Sequence, residues 1–278
     1  KQETMSYDIV VVGSGPGGYV TAIRASQLGM KTAIIEKAEL GGICLNWGCI
    51  PTKALLKSAN VFEYLSHAED YGIKVKDGKA DFDAMVKRSR EVANGMSKGI
   101  QFLMKKNKID VVKGTGKLAS GKKVIVTDEK GKEQEVTASK GVIIATGARS
   151  RELPNLKQDG KKIIGYREAM TLEKQPKKMV VVGSGAIGVE FAYFYSAIGT
   201  EVTVVEYMPK VVPVEDDDVS KELEKTFKKK GINIMTNAEV TEVDTKGSGC
   251  KVKVKTKKGE ESIDCDVVLS AVGIQSNI

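Results

Sequence analysis

Two stretches of this sequence carry the same punctuation in the same order. A short β-branched run at 7–12 leads into Gly13-Ser14-Gly15-Pro16-Gly17-Gly18. A second run at 179–182 leads into Gly183-Ser184-Gly185-Ala186-Ile187-Gly188. Each glycine cluster opens a helical stretch, 19–28 or 189–198. Each stretch stops at Gly29 or Gly199, where a left-handed residue ends a helix. A further β-branched run then ends on a carboxylate, Glu36 or Glu206. The first glycine is 16 residues from the helix-ending glycine and 23 from the carboxylate in both copies. One G-x-G-x-x-G is a weak signal, but two in register, each between strand and helix, make chance improbable.

The spacing has a direct chemical meaning. The first glycine permits a tight turn, the second lets a pyrophosphate approach the backbone, and the third lets helix and strand pack closely. The helix N-terminus offers unpaired N–H groups and a positive dipole end to phosphates. The carboxylate can accept both hydroxyls of a ribose and repels a 2′-phosphate. After Glu206 the next several residues hold no Arg and only Lys210, so the second site is expected to prefer NAD over NADP. In the first helical stretch, Val20, Ile23 and Leu28 are the apolar positions.

Each half continues alike. Segments 109–116, 123–127 and 134–138 read as a meander, with a hairpin turn at 129–132, before a buried strand at 142–145 and Thr146-Gly147. Segments 239–244, 251–255 and 261–264 repeat the pattern before 267–271 and Gly273. The expected class is α/β: two Rossmann-like dinucleotide-binding domains, each with a central parallel sheet and a β-meander. Residues 148–178, with Pro154 and Pro176 and little periodicity, hold the boundary. The expected division is 1–150 and 151–272, with 273–278 starting a return to the first domain.

Between Glu36 and the next helix lies 41–53, Gly-Gly-Ile-Cys-Leu-Asn-Trp-Gly-Cys-Ile-Pro-Thr-Lys. On a regular helix, cysteines five apart diverge by roughly 140° and rise about 7.5 Å, beyond disulfide reach. If Cys44 and Cys49 pair, the segment is not regular helix. Gly48 supplies local freedom, and Pro51 suits the first turn of a helix at 52–65. So small a loop gains little from chain entropy, so a bridge here is better explained by redox work than by stapling. The other two cysteines, Cys250 and Cys265, read as small strand residues of a reducing compartment.

The 41–53 stretch resembles the active-site signature of the flavin-dependent pyridine-nucleotide disulfide oxidoreductases. Its wording, with Gly-Ala-Ile-Gly-Val-Glu at 185–190, is nearest the lipoamide-dehydrogenase branch. Glutathione and mercuric reductases differ just after the second cysteine and favour NADP. The resemblance implies FAD held by Gly13–Gly18, Glu36, Lys37, Gly41 and Gly42, with Gly116, Thr146 and Gly147 as backbone contacts. It implies NAD at Gly183–Gly188 and Glu206, with Val240 and Gly273 beside it. Cys49 would face the flavin as charge-transfer thiolate, and Cys44 would exchange with the lipoyl disulfide. Lys53 would lie by the flavin N5 and pair with Glu190. The implied partners are dihydrolipoyl domains of 2-oxoacid dehydrogenase or glycine cleavage complexes, and a second copy as a homodimer.

Family members continue into a second FAD fingerprint and a dimerisation domain with a His–Glu pair, which this sequence lacks. If 278 residues were the whole molecule, weak FAD retention, no family-type dimer and little activity would follow. As part of a longer protein, its parent would be fully active. The alternatives are a non-catalytic dinucleotide-binding fragment and another disulfide reductase of the family. A nucleic-acid binder would rest on charge alone, a net +8 with 44 Lys and Arg against 36 Asp and Glu. Only six of the basic residues are Arg, the Lys are interleaved with acids, and aromatics are 5%, so a solvated surface is expected. The one His, His67, reads as a surface helix residue, and the cysteine spacings fit no zinc site. No apolar run suits a membrane span, and residues 1–6 resemble neither a secretory leader nor a transit peptide. A bacterial cytoplasm, or a mitochondrial matrix for a processed chain, is the expected compartment.

Overall fold

The computed structural model describes residues 5–278; residues 1–4, on which the reading of the N-terminus partly rests, lie outside the described residues. In chain order the elements are β1 (Met5–Val12), α1 (Pro16–Gln27), β2 (Thr32–Glu36), α2 (Gly42–Asn46), α3 (Cys49–Ser66), α4 (Phe82–Lys106), β3 (Asp110–Lys113), β4 (Thr115–Ala119), β5 (Lys123–Thr127), β6 (Glu133–Ile144), β7 (Ala148–Ser150) and β8 (Ile163–Ile164). They continue as α5 (Tyr166–Ala169), β9 (Lys178–Val182), α6 (Ala186–Ala197), β10 (Glu201–Val205), α7 (Asp217–Lys229), β11 (Asn233–Met235), β12 (Glu239–Asp244), β13 (Cys250–Thr256), β14 (Gly259–Cys265), β15 (Val267–Ser270) and β16 (Ile274–Ser276).

The chain divides into two compact units: 5–51, 90–149 and 276–278 in one, and 52–89 and 150–275 in the other. The division differs from the single break expected near 150, because 52–89, the body of α3 and the start of α4, group with the second unit. There the Phe82 ring packs at a tilt against Phe194 and Tyr195 on α6, with centroids 6.4 and 6.1 Å away.

In the first unit a six-stranded sheet runs β3-β2-β1-β6-β5-β4. β1, β2, β3 and β6 are parallel, and β4 and β5 add antiparallel. Strand alternation splits β1 between two cores. Val10 and Val12 pack with Val124, Val126 and Val136, whereas Val11 packs with Ala22, Leu45, Ile100 and Met104 on the helical side.

Three sequence expectations are corrected here. The third meander strand and the return strand are one strand, β6, which pairs with β5 at its start and with β1 along most of its length. Its end is not fully buried, since Ile144 is 59% exposed. Segment 109–116 is two strands, β3 at the parallel edge and β4 in the meander, turned at Gly114. On α1 the buried residues are Gly18, Ala22 and Ala25, while Val20 and Leu28 are exposed. The fully buried face carries small side chains, as the close glycine contact requires, and Tyr19 and Ile23 pack at its edge.

The second unit has a five-stranded parallel sheet, β11-β10-β9-β15-β8, and a separate antiparallel sheet, β12-β13-β14. Val180, Val182 and Val268 of the first pack against Val240, Val252 and Val254 of the second. The weakly periodic boundary segment supplies β8 as an edge strand and the short helix α5. His67 is exposed in the turn after α3 rather than within a helix. No described helix is long and apolar enough to cross a membrane.

Candidate functional site

The two fingerprints have closely similar geometry. Gly13 and Gly183 adopt φ of 100° and 97°. A Cβ on Gly13 would lie 2.1 Å from the Ala145 carbonyl oxygen, and one on Gly183 would lie 2.5 Å from that of Ala271. A Cβ on Gly18 would lie 1.9 Å from the Gly13 oxygen, and one on Gly188 2.0 Å from the Gly183 oxygen. The second glycine behaves oppositely. A Cβ on Gly185 would meet nothing within 4 Å, and one on Gly15 only the Gly42 Cα at 4.0 Å. The backbone there faces open space, as a pyrophosphate cradle requires. Gly15 and Gly185 are the N-caps of α1 and α6, and neither helix start is capped by a side chain. Pro16 and Ala186 stand at the exposed first positions, Gly17 meets nothing within 4 Å, and Ile187 is half-buried.

Each carboxylate is held by the serine of its own fingerprint. The Ser14 N–H and hydroxyl donate to Glu36 Oε2 at 2.9 and 2.6 Å, and the Ala38 N–H donates to Oε1 at 2.9 Å. The Ser184 N–H and hydroxyl both donate to Glu206 Oε2 at 2.7 Å, and the Met208 N–H donates to Oε1 at 2.8 Å. A carboxylate has about four acceptor positions, and three are taken here. One position on Oε1 is open to a ribose hydroxyl, and a second hydroxyl must share Oε2 with the serine. The fingerprint spacing names Ser14 and Ser184 but carries no signal of this bond.

The loop after each second strand returns over the fingerprint. The Gly41 N–H donates to the Ser14 carbonyl at 3.1 Å, and the Val212 N–H to the Ser184 carbonyl at 3.0 Å. Gly42 lies so close that its Cβ would sit 2.5 Å from Gly15 Cα. Lys37 is exposed beside Glu36. In the second unit Lys210 is tied to the Glu215 carbonyl at 2.6 Å and to Asp217 at 2.7 Å.

The cysteine segment is interrupted helix. α2 ends on Trp47, whose φ of −139° leaves the helical region, and α3 begins at Cys49 with Pro51 in its first turn. Cys44 is half-buried on α2 and Cys49 is exposed. The interruption is braced from α4. The Arg90 guanidinium lies 4.1 Å over the Trp47 ring and donates to the Asn46 carbonyl at 2.6 Å. The Asn46 amide in turn donates to the carbonyls of Leu40 and Gly42, each at 3.0 Å. Sequence reasoning missed Arg90; only its cationic character beside a lone Trp could have suggested it. Within the second unit Lys53 Nζ donates to Glu190 Oε1 at 2.5 Å.

The remaining candidates are placed as follows. The Thr146 hydroxyl and carbonyl both bond Asn277, at 2.6 and 2.9 Å, and the Gly147 carbonyl accepts from the Asn277 N–H at 3.0 Å. Gly116 packs in the meander core, where a Cβ would press on Val12 and Val124 at 3.1 Å. The Val240 side chain is buried and its carbonyl is taken by Asn155 at 2.8 Å. Gly273 has φ of 110° and open space above it.

Comparison with known proteins gives a consistent picture. Residues 7–278 match the family described as pyridine nucleotide-disulphide oxidoreductase. The chain is 46% identical to a dihydrolipoyl dehydrogenase of Rhizobium etli, over 98% of this chain and 60% of that protein. It is 45% identical to the one of Chlorobaculum tepidum, over 98% and 58%. The crystal structure of LpdA from Mycobacterium tuberculosis superposes with a TM-score of 0.88 at 28% identity, over 98% of this chain and 59% of that one. The chain thus spans about 60% of the length of these relatives.

Proposed function

Because the chain belongs to the pyridine nucleotide-disulphide oxidoreductase family, we propose that it is the dinucleotide-binding part of a dihydrolipoyl dehydrogenase. The observation that carries this reading is the break at Trp47–Gly48, which sets Cys44 and Cys49 on consecutive helices in a chain with two nucleotide cradles. The family uses FAD and NAD, and both cradles fit a dinucleotide: open backbone over the second glycine, an uncapped helix start and a fixed carboxylate. Gly13–Gly18, Glu36, Lys37, Gly41 and Gly42 would hold FAD, with Thr146 and Gly147 at its edge. Gly183–Gly188, Glu206 and Gly273 would hold NAD. Lys210 is paired with Asp217 and no Arg stands among the residues after Glu206, which supports NAD over NADP.

The chain's own chemistry is thiol–disulfide exchange. A dihydrolipoyl thiolate attacks Cys44 Sγ of the Cys44–Cys49 bridge, the S–S bond breaks, and Cys49 leaves as thiolate. The second substrate thiol then loses its proton and displaces Cys44, closing the lipoyl disulfide. The substrate dithiol is oxidised and the protein cystine reduced, with two electrons passed. Bound FAD and NAD supply the acceptor chemistry that restores the bridge. Lys53, one turn beyond Cys49 on α3, holds positive charge beside that thiolate's helix, and Glu190 fixes its ammonium. Dihydrolipoyl domains of 2-oxoacid dehydrogenase or glycine cleavage complexes are the proposed partners, with a homodimer for the full protein and a bacterial cytoplasm as its compartment.

The test is NAD⁺ reduction by dihydrolipoamide with FAD-reconstituted protein, as the chain and as its full-length parent, with NADH- and NADPH-driven reduction of lipoamide, glutathione disulfide and Hg²⁺ compared in separate assays. Activity of the parent with dihydrolipoamide, abolished by Cys44→Ser and by Cys49→Ser, is expected. Faster turnover of glutathione disulfide or Hg²⁺ would replace the lipoyl reading with another disulfide reductase.

A further inference from the structure

Two cysteines outside the redox segment form a second dithiol. Cys250 opens β13 and Cys265 closes β14, and they face each other directly in the antiparallel ladder. Residues so opposed have Cα atoms about 4.5–5.5 Å apart, inside the range a disulfide spans. Both side chains are buried, 4% and 6% exposed, in the core between the two sheets of this unit. Cys250 Sγ lies 3.8 Å from the carbonyl oxygens of Lys162 and Asp266. Nothing in the thiol–disulfide chemistry at Cys44 and Cys49 uses this pair.

We propose that Cys250 and Cys265 are a latent second cystine, closed by a small peroxide able to enter the seam between the sheets. One cysteine sulfur attacks a peroxide oxygen and the O–O bond breaks, giving a sulfenic acid and one water. The other sulfur then attacks the sulfenic sulfur and releases a second water. Two thiols are oxidised by two electrons, and the peroxide is reduced to two waters. The bond would tie the open end of the β13–β14 hairpin. β14 runs through Asp266 into β15, and the Asp266 carboxylate accepts the Lys177 and Lys178 N–H groups at 2.7 and 2.9 Å at the start of β9. β9 leads into Gly183, so closure stiffens the strands beneath the second fingerprint. Burial pushes both thiols up, that of Cys265 to about 12. Burial of both sulfurs makes the pair a slow responder.

The experiment uses the full 278-residue chain with Cys44→Ser and Cys49→Ser, so that only this pair remains. It is treated with hydrogen peroxide, denatured, alkylated and weighed intact. The expected result is loss of two hydrogens, no alkylation, and a melting temperature raised by roughly 5 °C. The same treatment after a further Cys265→Ser should leave Cys250 alkylated and the melting temperature unmoved. Peptide mapping of peroxide-treated wild-type protein should recover the Cys250 and Cys265 peptides joined. Two alkylated cysteines after treatment, stable sulfinic acids, or joining only between chains would overturn the proposal.

Discussion

Ser184 gives both its backbone N–H and its hydroxyl to the same oxygen of Glu206, each at 2.7 Å. Ser14 treats Glu36 the same way in the other unit. The fingerprint turn and the carboxylate are thus one hydrogen-bonded piece.

Ser184→Ala should therefore act on binding and on stability together. It removes a hydroxyl bond to a buried charged acceptor and should cost about 1–2 kcal/mol in urea unfolding. Titration with NAD should show weaker binding and poorer discrimination against NADP. Unchanged affinity would mean that the serine holds only the turn.

The second and third glycines should separate binding from folding. Gly185 has φ of −67° and nothing around a Cβ, so Gly185→Ala should fold normally and lose NAD affinity. In Gly188→Ala the new carbon would lie 2.0 Å from the Gly183 oxygen. That variant should lose at least about 2 kcal/mol or fail to accumulate. Circular dichroism melts alongside NAD titration distinguish the two, and equal behaviour of both variants would contradict the cradle geometry.

The contacts of Glu63 with α6 and α7 predict loss of stability at both ends of the pH scale. The Tyr193 hydroxyl donates to Glu63 at 2.7 Å, and Lys230 pairs with it at 2.6 Å. Burial alone would push the Glu63 carboxyl up, but hydrogen bonds from Lys230 and Tyr193 and the Lys230 charge hold it below its ordinary 4.5. Its stabilisation is present above that value and is lost as pH falls through the depressed one. Burial, then the bond to Glu63, pushes Tyr193 up from 10.0 to about 12. That contribution is complete below pH 10 and disappears as pH rises towards 12. Chemical unfolding across pH should show both limbs, and Glu63→Gln should flatten the acid one.

Arg90 should be readable through Trp47, the single tryptophan of the chain. Arg90→Ala removes the cation above the ring and the donor to the Asn46 carbonyl. The emission should shift to the red, with a loss of about 1–2 kcal/mol. Arg90→Lys should restore part of the stability and little of the planar stacking. An unmoved spectrum would show that the helix break holds without Arg90.

Local rules were enough for much of this protein. Glycine positions, β-branched runs and a carboxylate at fixed distance specify the two βαβ units, because tight turns and helix starts depend on a few adjacent residues. Gly48 and Pro51 made the break in the cysteine segment legible for the same reason. The tertiary structure decided what joins distant residues. It bound Ser14 to Glu36 and Ser184 to Glu206, each 22 positions apart. It brought Lys53 to Glu190 across 137, a pair named by family resemblance and by no local pattern. It left Val20 and Leu28 exposed and turned Gly18, Ala22 and Ala25 to the sheet, with Tyr19 and Ile23 packed at the edge of that core. It also set Cys250 against Cys265, which the sequence offered only as two scattered strand residues. Pairing register depends on the whole sheet and leaves no mark on the residues flanking either cysteine.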